Sequence, residues 1–571
     1  MTISAPTHSK TFDFIIVGAG VAGCVLASCL TENGKFSVLL LEAGDDVVPG
    51  SEPADILDSY PTSYYNKQYV WSGLKASWRT EQFGSNHFPQ GRIMGGGGSV
   101  MGMVSLRGTP ADYAQWEESG AKGWAWNDVL PYFCKLENDF NFTGSLHGND
   151  GPIPIRRIPE AQWPPLTQAL SAYAQSHQIP FISDMNGDFR DGFGAVPMCN
   201  TPHRRASTAL CYLTADTRRR PNLTIMNQVL VRRVKFEGCR AVGVQAKVGD
   251  GVVEFRANEV IVSGGGIFSP TLLMRSGIGD AKNLQDLGID VVANRPGVGR
   301  NLQNHPIMFL GMHLKRKARQ SPQLRTHPSA CFRFSSGLPN TAPSDLYINI
   351  QSKTSWSPLG QQIGNLAPCL LRPNSRGQVS LLSADLDVHP KIEFRFLDDP
   401  IDTERLGIAF AHAVNMLSDS RVSALSGRPF PVRFTDRLRL LNELNQKNAL
   451  KTSVLAALLD ACPFGSDFLL SAMTGDRVDL KALVADSARL SEFIHANVAG
   501  MFHPVGACRM GDASDPQAVV DSSGLVYGVN GLRVADSSIM PNLIAGNTNI
   551  PTIMLAEKLA DAILQSHPTV N

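Results

Sequence analysis

Three glycines, Gly18, Gly20 and Gly23, stand in the order G-x-G-x-x-G between an apolar run, Phe12 to Val17, and a helix-patterned run carrying Val25, Leu26, Cys29 and Leu30. That spacing can hold the pyrophosphate of a dinucleotide. The first glycine permits a tight turn, the second lets phosphates approach the backbone, and the third lets helix and strand pack closely. The anion then meets free N–H groups at the positive end of a helix. A second apolar run, Phe36 to Leu41, ends on Glu42, where a carboxylate can accept hydrogen bonds from a ribose. With both strands, the helix and the acid in register, a dinucleotide site is expected.

Other stretches must position that site. Gly91 to Met103 contains four consecutive glycines, Gly95 to Gly98, flanked by Ile93-Met94 and by Val100 to Met103. Linkers are polar on both sides, so this stretch reads as a buried cradle running close to a flat or charged ligand. The aromatics before it (Tyr60, Tyr64, Tyr65, Tyr69, Trp71, Trp78) are expected to pack beneath a long loop. Leu223 to Val231 and Ala241 to Val248 alternate as strands. Glu259 to Ser263 reads as another strand, entering Gly264 to Gly266 and then a helix capped by Ser269 with Pro270 at its first position. Near the C-terminus Asn549 and Pro551 suit a helix start. Between about 311 and 499 the glycine fingerprints disappear, as expected for a substrate-side domain. There Asp436 to Met473 is helical in period through Leu438, Leu441, Leu450, Val454, Leu455, Leu458 and Leu459, then more apolar through Phe464, Phe468, Leu469 and Leu470. Core packing is the expectation; a lid, an oligomer contact or a membrane-resting surface is the alternative.

A chain of 571 residues exceeds one ordinary core, so two domains or an interleaved pair are expected. A net charge of +1 gives no reason to expect nucleic acid or an anionic membrane as partner. The 10 cysteines form no C-x-x-C pair and several lie in apolar stretches, which suits small buried hydrophobes better than a disulfide or zinc framework. No metal site is expected. Met1 to Lys10 lacks a basic-plus-apolar leader pattern, and no 18-residue uncharged apolar run occurs; a cytoplasmic location is the expectation.

The fingerprint with Glu42, Gly91 to Met103, Gly265 to Gly279, His503 to Gly511 and Gly531 to Thr552 follow one another as in the glucose–methanol–choline (GMC) oxidoreductases, which the chain resembles over nearly its whole length. Within that family it is most similar to bacterial members acting on aryl and furfuryl primary alcohols. The resemblance implies an α/β chain, α+β overall, in which a Rossmann-like FAD-binding domain is interleaved with a substrate domain on an antiparallel sheet. The FAD domain would take residues 1–160, with a loop excursion at 46–89, then 205–310 and 500–571. The substrate domain would take 161–204 and 311–499.

Carried over by position, Gly18, Gly20, Gly23 and Glu42 would hold the ADP half of FAD. The loop with Arg92, Gly95, Gly96 and Ser99 would line pyrophosphate and flavin, and Val231 would meet the adenine through its backbone. Asp536, Asn547 and Thr548 would approach the flavin end. His503 would be the base that takes the alcohol's proton, while hydride passes to flavin N5. Asn549 would hydrogen-bond the substrate oxygen, and can also cap the last helix. Phe502 would supply apolar wall, and His305 and His495 are expected to be structural or surface residues. Four positions depart from the family or vary within it. Met101 stands where Asn is usual, losing a polar flavin contact, and Gly266 replaces a small non-glycine residue. Asn304 replaces a common Asp, and Val100 occupies the position of a covalent His, implying non-covalent FAD. The expected activity is oxidation of a primary aromatic or furan-type alcohol to its aldehyde, with O2 giving peroxide. A dehydrogenase using a quinone or other carrier, and a hydroxynitrile-lyase-like activity, are the alternatives. Asn549 argues against the second, which leans on paired histidines.

Overall fold

The computed structural model describes residues 10–80, 84–433, 435–461 and 478–567. The chain starts with strand β1 (Thr11–Val17), helix α1 (Val21–Thr31) and strand β2 (Val38–Leu41), whose apolar side chains are buried as a parallel strand requires. Strands β3 (Leu223–Met226), β4 (Val229–Glu237), β5 (Arg240–Val248) and β6 (Gly251–Val262) complete most of a seven-stranded sheet. Its parallel part runs β3-β2-β1-β6, and the second half of β6 is in register with β1 from Thr11↔Arg256 to Val17↔Val262. The first half of β6 pairs antiparallel with β5, which pairs with β4. Helix α2 (Gly265–Arg275) follows β6, and strand β7 (Leu532–Val534) adds parallel to it. The last helix, α3 (Asn549–Ser566), packs along α1.

The helix after β6 begins five residues earlier than expected. Pro270 lies inside α2, and Ser269 caps nothing; its hydroxyl donates to Asp536 at 2.5 Å and accepts from the Gly264 N–H at 2.8 Å. Gly265, at φ +80°, makes the early turn that lets the helix begin at the strand end.

A second, nine-stranded sheet is mostly antiparallel. Phe181–Ile182 and Gly192–Ala195 join it to Ala330–Phe334, Leu346–Gln351, Ile363–Leu370, Leu310–His313 and Phe430–Pro431. Segments far apart in sequence thus share one sheet, and helix Pro400–Ser418 packs on it. The short strand Pro306–Ile307 pairs antiparallel with Ala499–Gly500, in a ribbon prolonged by reciprocal Gln303–Val505 backbone hydrogen bonds of 3.0 Å.

One reading changes in part here. Helices Asp436–Asn442 and Gln446–Ala461 form, and Leu441, Leu455 and Leu459 pack in a small cluster with Leu359, but the rest of their apolar periodicity does not serve a core. Leu450, Val454 and Leu458 share the outward face at 69%, 54% and 49% exposure, while the inward face carries Asn448, Thr452, Ala456 and Leu459. Phe464, Phe468, Leu469 and Leu470 lie outside the described residues. Among the described residues no helix is long and apolar enough to cross a membrane.

Away from the sheets, Glu137, Asp139 and His147 bring ligand-type atoms within 4.8 Å of one another. Arg107 already pairs with Glu137, and Arg157 bridges Asp139 and Asp184 at 2.8–2.9 Å, so the carboxylates are neutralised by arginine. His147 joins this network through Glu137 and Asp184 at 3.0 and 2.8 Å. Burial opposes its charge, yet the hydrogen bonds to Asp139, Asp184 and Glu137 prevail and lift its pKa from 6.5 to about 10. The folded state therefore holds a proton that the unfolded chain releases above its ordinary pKa. The stabilisation is complete below pH ~6.5 and is lost as pH rises towards 10. Thermal midpoints are expected to fall over that window, and more shallowly in His147→Gln. Parallel decline in both proteins would remove His147 as the cause.

Candidate active site

The carboxyl ends of the parallel strands are tied together around the first turn. Gly18 N–H donates to the Leu41 carbonyl at 2.8 Å, and Ser263 N–H to the Val17 carbonyl at 2.8 Å. Gly18 sits at φ +100°, and a Cβ on Gly23 would stand 1.9 Å from the Gly18 oxygen. Gly23 therefore sets the seat of α1 on β1 and does not face open space. Gly20 is the N-cap of α1; the first intrahelical bond comes from Cys24 N–H, so the N–H groups of the helix's first turn, Val21 to Gly23, are left for an anion. Glu42 accepts from the N–H groups of Ala19 (2.9 Å) and Gly44 (2.8 Å), and burial raises its pKa.

The four-glycine stretch lies directly against this turn. Gly95 N–H donates to the Ala19 carbonyl at 2.7 Å, and a Cβ on Gly96 would meet Gly20 Cα at 3.0 Å. Buried Ser99 braces the stretch from within, donating to the Met94 carbonyl at 2.8 Å. Arg92 donates to the Ala43 carbonyl at 3.2 Å and stacks over Trp71. Arg205, which sequence reasoning missed, is buried behind the loop and donates to the carbonyls of Gly98 (3.0 Å) and Met101 (2.7 Å).

Between the two sheets runs a cavity of about 490 Å³. Gly18, Gly20, Glu42, Val231, Gly96, Met101, Asp536, Asn547, Thr548, Asn549 and His503 all line it. Arg92, Gly95, Ser99 and Gly23 shape its walls from behind. A Cβ on Gly20 would meet only the Ser263 oxygen at 3.8 Å, and one on Gly97 only the Met101 side chain at 3.9 Å. Protein packing does not demand glycine at these two cavity-facing positions; a ligand pressed against the backbone does. The donor set, the acid and this cradle fit FAD.

Asp536 accepts from the N–H groups of Gly265 and Ser538, both at 2.8 Å, tying α2 to the end of β7. Thr548, not Asn549, is the N-cap of α3; Asn549 opens the helix and donates to Cys199 Sγ at 3.6 Å. Asn547 points its amide at His503, with Nδ2 3.3 Å from Nε2. Burial drives the His503 pKa well below its usual value, and His305 adds to the effect.

His305, expected to be structural or at the surface, is buried and contacts His503 directly, Nδ1 to Nδ1 at 2.8 Å. The ribbon brings the two together across 198 residues of sequence. Asn304 holds both: its Oδ1 accepts from His305 N–H at 2.9 Å and His503 N–H at 3.1 Å, while its Nδ2 donates to the Met501 carbonyl at 2.5 Å. His495 lies elsewhere, bonded to Thr403.

Several aromatics read as loop packing are cavity wall as well. Tyr60, Tyr64, Tyr65 and Trp71 face the cavity with Phe502, whose ring lies 5.6 Å from Tyr64 and 5.8 Å from Phe88. His327 lies tilted against Tyr60, with ring centroids 4.7 Å apart. Tyr69 and Trp78 do pack, the latter on Phe394 and Phe396.

Family comparisons agree with this arrangement. Models described as GMC oxidoreductase match residues 12–307 and 373–556. The chain is 36% identical to a 5-(hydroxymethyl)furfural oxidase of Methylovorus sp. (strain MP688), over 97% of this chain and 98% of the relative. It is 33% identical to the mitochondrial choline dehydrogenase of Mus musculus, over 99% and 91% respectively. The crystal structure of pyridoxine 4-oxidase from Mesorbium loti superposes with a TM-score of 0.80 at 26% identity, covering 98% of this chain and all of that one. With the dinucleotide turn, the glycine cradle and the enclosed histidine in place, the chain belongs to the GMC oxidoreductase family and is an FAD-dependent oxidoreductase.

Proposed function

We propose that the protein oxidises a primary aromatic or furan-type alcohol to the aldehyde, with O2 as electron acceptor and H2O2 as product. The observation that carries this reading is the neutral, cavity-facing His503 beside an aromatic wall. When bound, FAD supplies the hydride acceptor. The imidazole of His503 takes the hydroxyl proton, and its lowered pKa keeps it unprotonated at neutral pH. The Asn549 amide can donate to the alcohol oxygen but cannot take its proton. Phe502, Tyr64 and Tyr65 give a planar substrate an apolar slot. Val100, fully buried, offers no nucleophile for covalent attachment, so the cofactor is held by contacts alone.

A cationic alcohol fits less well. Among the described lining residues the carboxylates are Glu42 and Asp536, and both are engaged by backbone N–H groups. Anaerobic mixing with benzyl-type and furfuryl alcohols is expected to bleach the flavin band, while choline leaves it unchanged. Air should then restore the band with release of peroxide. Bleaching by choline alone, or by no alcohol at all, would overturn the substrate reading. A band restored only by a quinone would replace oxidase by dehydrogenase.

A further inference from the structure

We propose that His305 is a positioning residue that holds His503 in the tautomer with its proton on Nδ1, leaving Nε2 as the nitrogen without a hydrogen. The proposal rests on the reading of His503 as base and says how that base is made ready.

Valence fixes the direction of each hydrogen bond. His305 Nε2 lies 3.0 Å from the Ile544 carbonyl oxygen, which can only accept, so the hydrogen is on Nε2. Complete burial holds His305 neutral, its pKa pushed down to about 4. A neutral imidazole has one N–H, so His305 Nδ1 is an acceptor. The contact of 2.8 Å between the two Nδ1 atoms then requires the hydrogen to sit on His503 Nδ1. His503 is itself neutral, so its Nε2 carries only a lone pair. Asn547 gives an independent check: its Nδ2–H groups donate, and they meet His503 Nε2 at 3.3 Å, where the tautomer supplies an acceptor.

The backbone fixes the rest. The ring planes stand at 88° with centroids 5.0 Å apart, and the two Nδ1 atoms meet at 2.8 Å. Asn304 grips the N–H groups of both histidines and donates to the Met501 carbonyl. An ionised Asp could accept the first two bonds but could not donate the third. The neutral residue here also places no anion beside the pair that would favour imidazolium over a free base.

Two variants of His305 separate positioning from bulk. His305→Asn keeps an acceptor near the Nδ1 position; His305→Gln keeps reach towards the Ile544 carbonyl but not that acceptor. Flavin content and thermal midpoint serve as controls on both. His305→Gln is expected to lower the limiting rate of anaerobic flavin reduction by ~10- to 100-fold, as loss of an orienting partner does elsewhere, with substrate affinity little changed. His305→Asn should stay close to wild type. Histidine ¹⁵N spectra of the holoenzyme, with His503 signals identified by their loss in His503→Asn, should show one Nδ1-protonated form that becomes a mixture in His305→Gln. An Nε2-protonated His503 in the wild type, or equal rates for Asn and Gln, would overturn the proposal. His503→Ala run alongside tells the two failures apart. If it is fast, the base reading fails and takes the proposal with it. If it is slow while both His305 variants match wild type, only the role of His305 fails.

Discussion

His503→Ala is expected to slow anaerobic flavin reduction by alcohol by ~10²- to 10⁴-fold, the usual weight of a positioned general base. FAD content and the oxidised spectrum should not change. The expectation is this large because the other cavity-facing side chains near His503 are poor replacements. Asn547 and Asn549 are amides, and burial raises the pKa of the Tyr64 and Tyr65 phenols. The pH dependence follows from the same burial. A base works unprotonated, and the His503 pKa is lowered first by desolvation and then by His305. The acid limb of kcat/KM that belongs to His503 should therefore lie below the ordinary value of about 6.5 and be absent from the alanine variant. A rate within threefold of wild type would return the proton to solvent and remove His503 from the chemistry.

The dinucleotide turn was readable because its constraints are local. Gly18, Gly20, Gly23 and Glu42 lie within 25 residues, and each answers a demand made by the adjoining strand, helix or phosphate. The glycine cradle was readable for a related reason: four glycines between apolar residues have few other uses. What remained hidden depends on long-range pairing. Nothing near His305 in sequence shows that the Pro306–Ile307 strand will lie beside Ala499–Gly500 and deliver it to His503. Arg205 was hidden likewise, since its partners Gly98 and Met101 lie more than 100 residues upstream. A departure at Asn304 was visible in sequence, but its meaning came only with the three groups it holds.

The misread elements fail for physical reasons too. A helical period in Gln446–Ala461 reports that apolar residues share a face, not which way the face turns; Thr452 and Ala456 turn inward and Leu450 and Val454 outward. Tyr60 is buried and Tyr64 and Tyr65 are half-buried, as expected of aromatics under a loop, but the loop is also a cavity wall. Burial alone does not distinguish the two. Pro270 looked like a helix start because proline suits that place. The turn at Gly265 had already begun the helix, and the Asp536–Ser269 bond keeps it there.

Gly23→Ala should cost the protein its cofactor. The added Cβ would stand 1.9 Å from the Gly18 oxygen and 3.0 Å from its carbonyl carbon, both backbone atoms that no rotamer change can move aside. The Gly18–Ala19 peptide cannot yield either, because its N–H, that of Ala19, donates to Glu42 at 2.9 Å and the turn abuts Ser263. Helix α1 must therefore lift from β1, although eight of its residues are buried and it also packs on α3. Overpacking of this kind costs ~1–3 kcal/mol or more. The N–H groups at the start of α1 move with the helix, so much of that cost falls on dinucleotide binding, and 2–3 kcal/mol corresponds to ~30- to 150-fold weaker affinity. The variant should purify with little flavin and a lower thermal midpoint. Gly251→Ala is the control: its Cβ would meet only the Val248 oxygen at 3.6 Å, an ordinary contact, in a hairpin far along β6 from the turn. If Gly23→Ala retains flavin at the wild-type ratio, α1 can shift without disturbing the turn, and close helix–strand packing is not what holds the phosphate site in place.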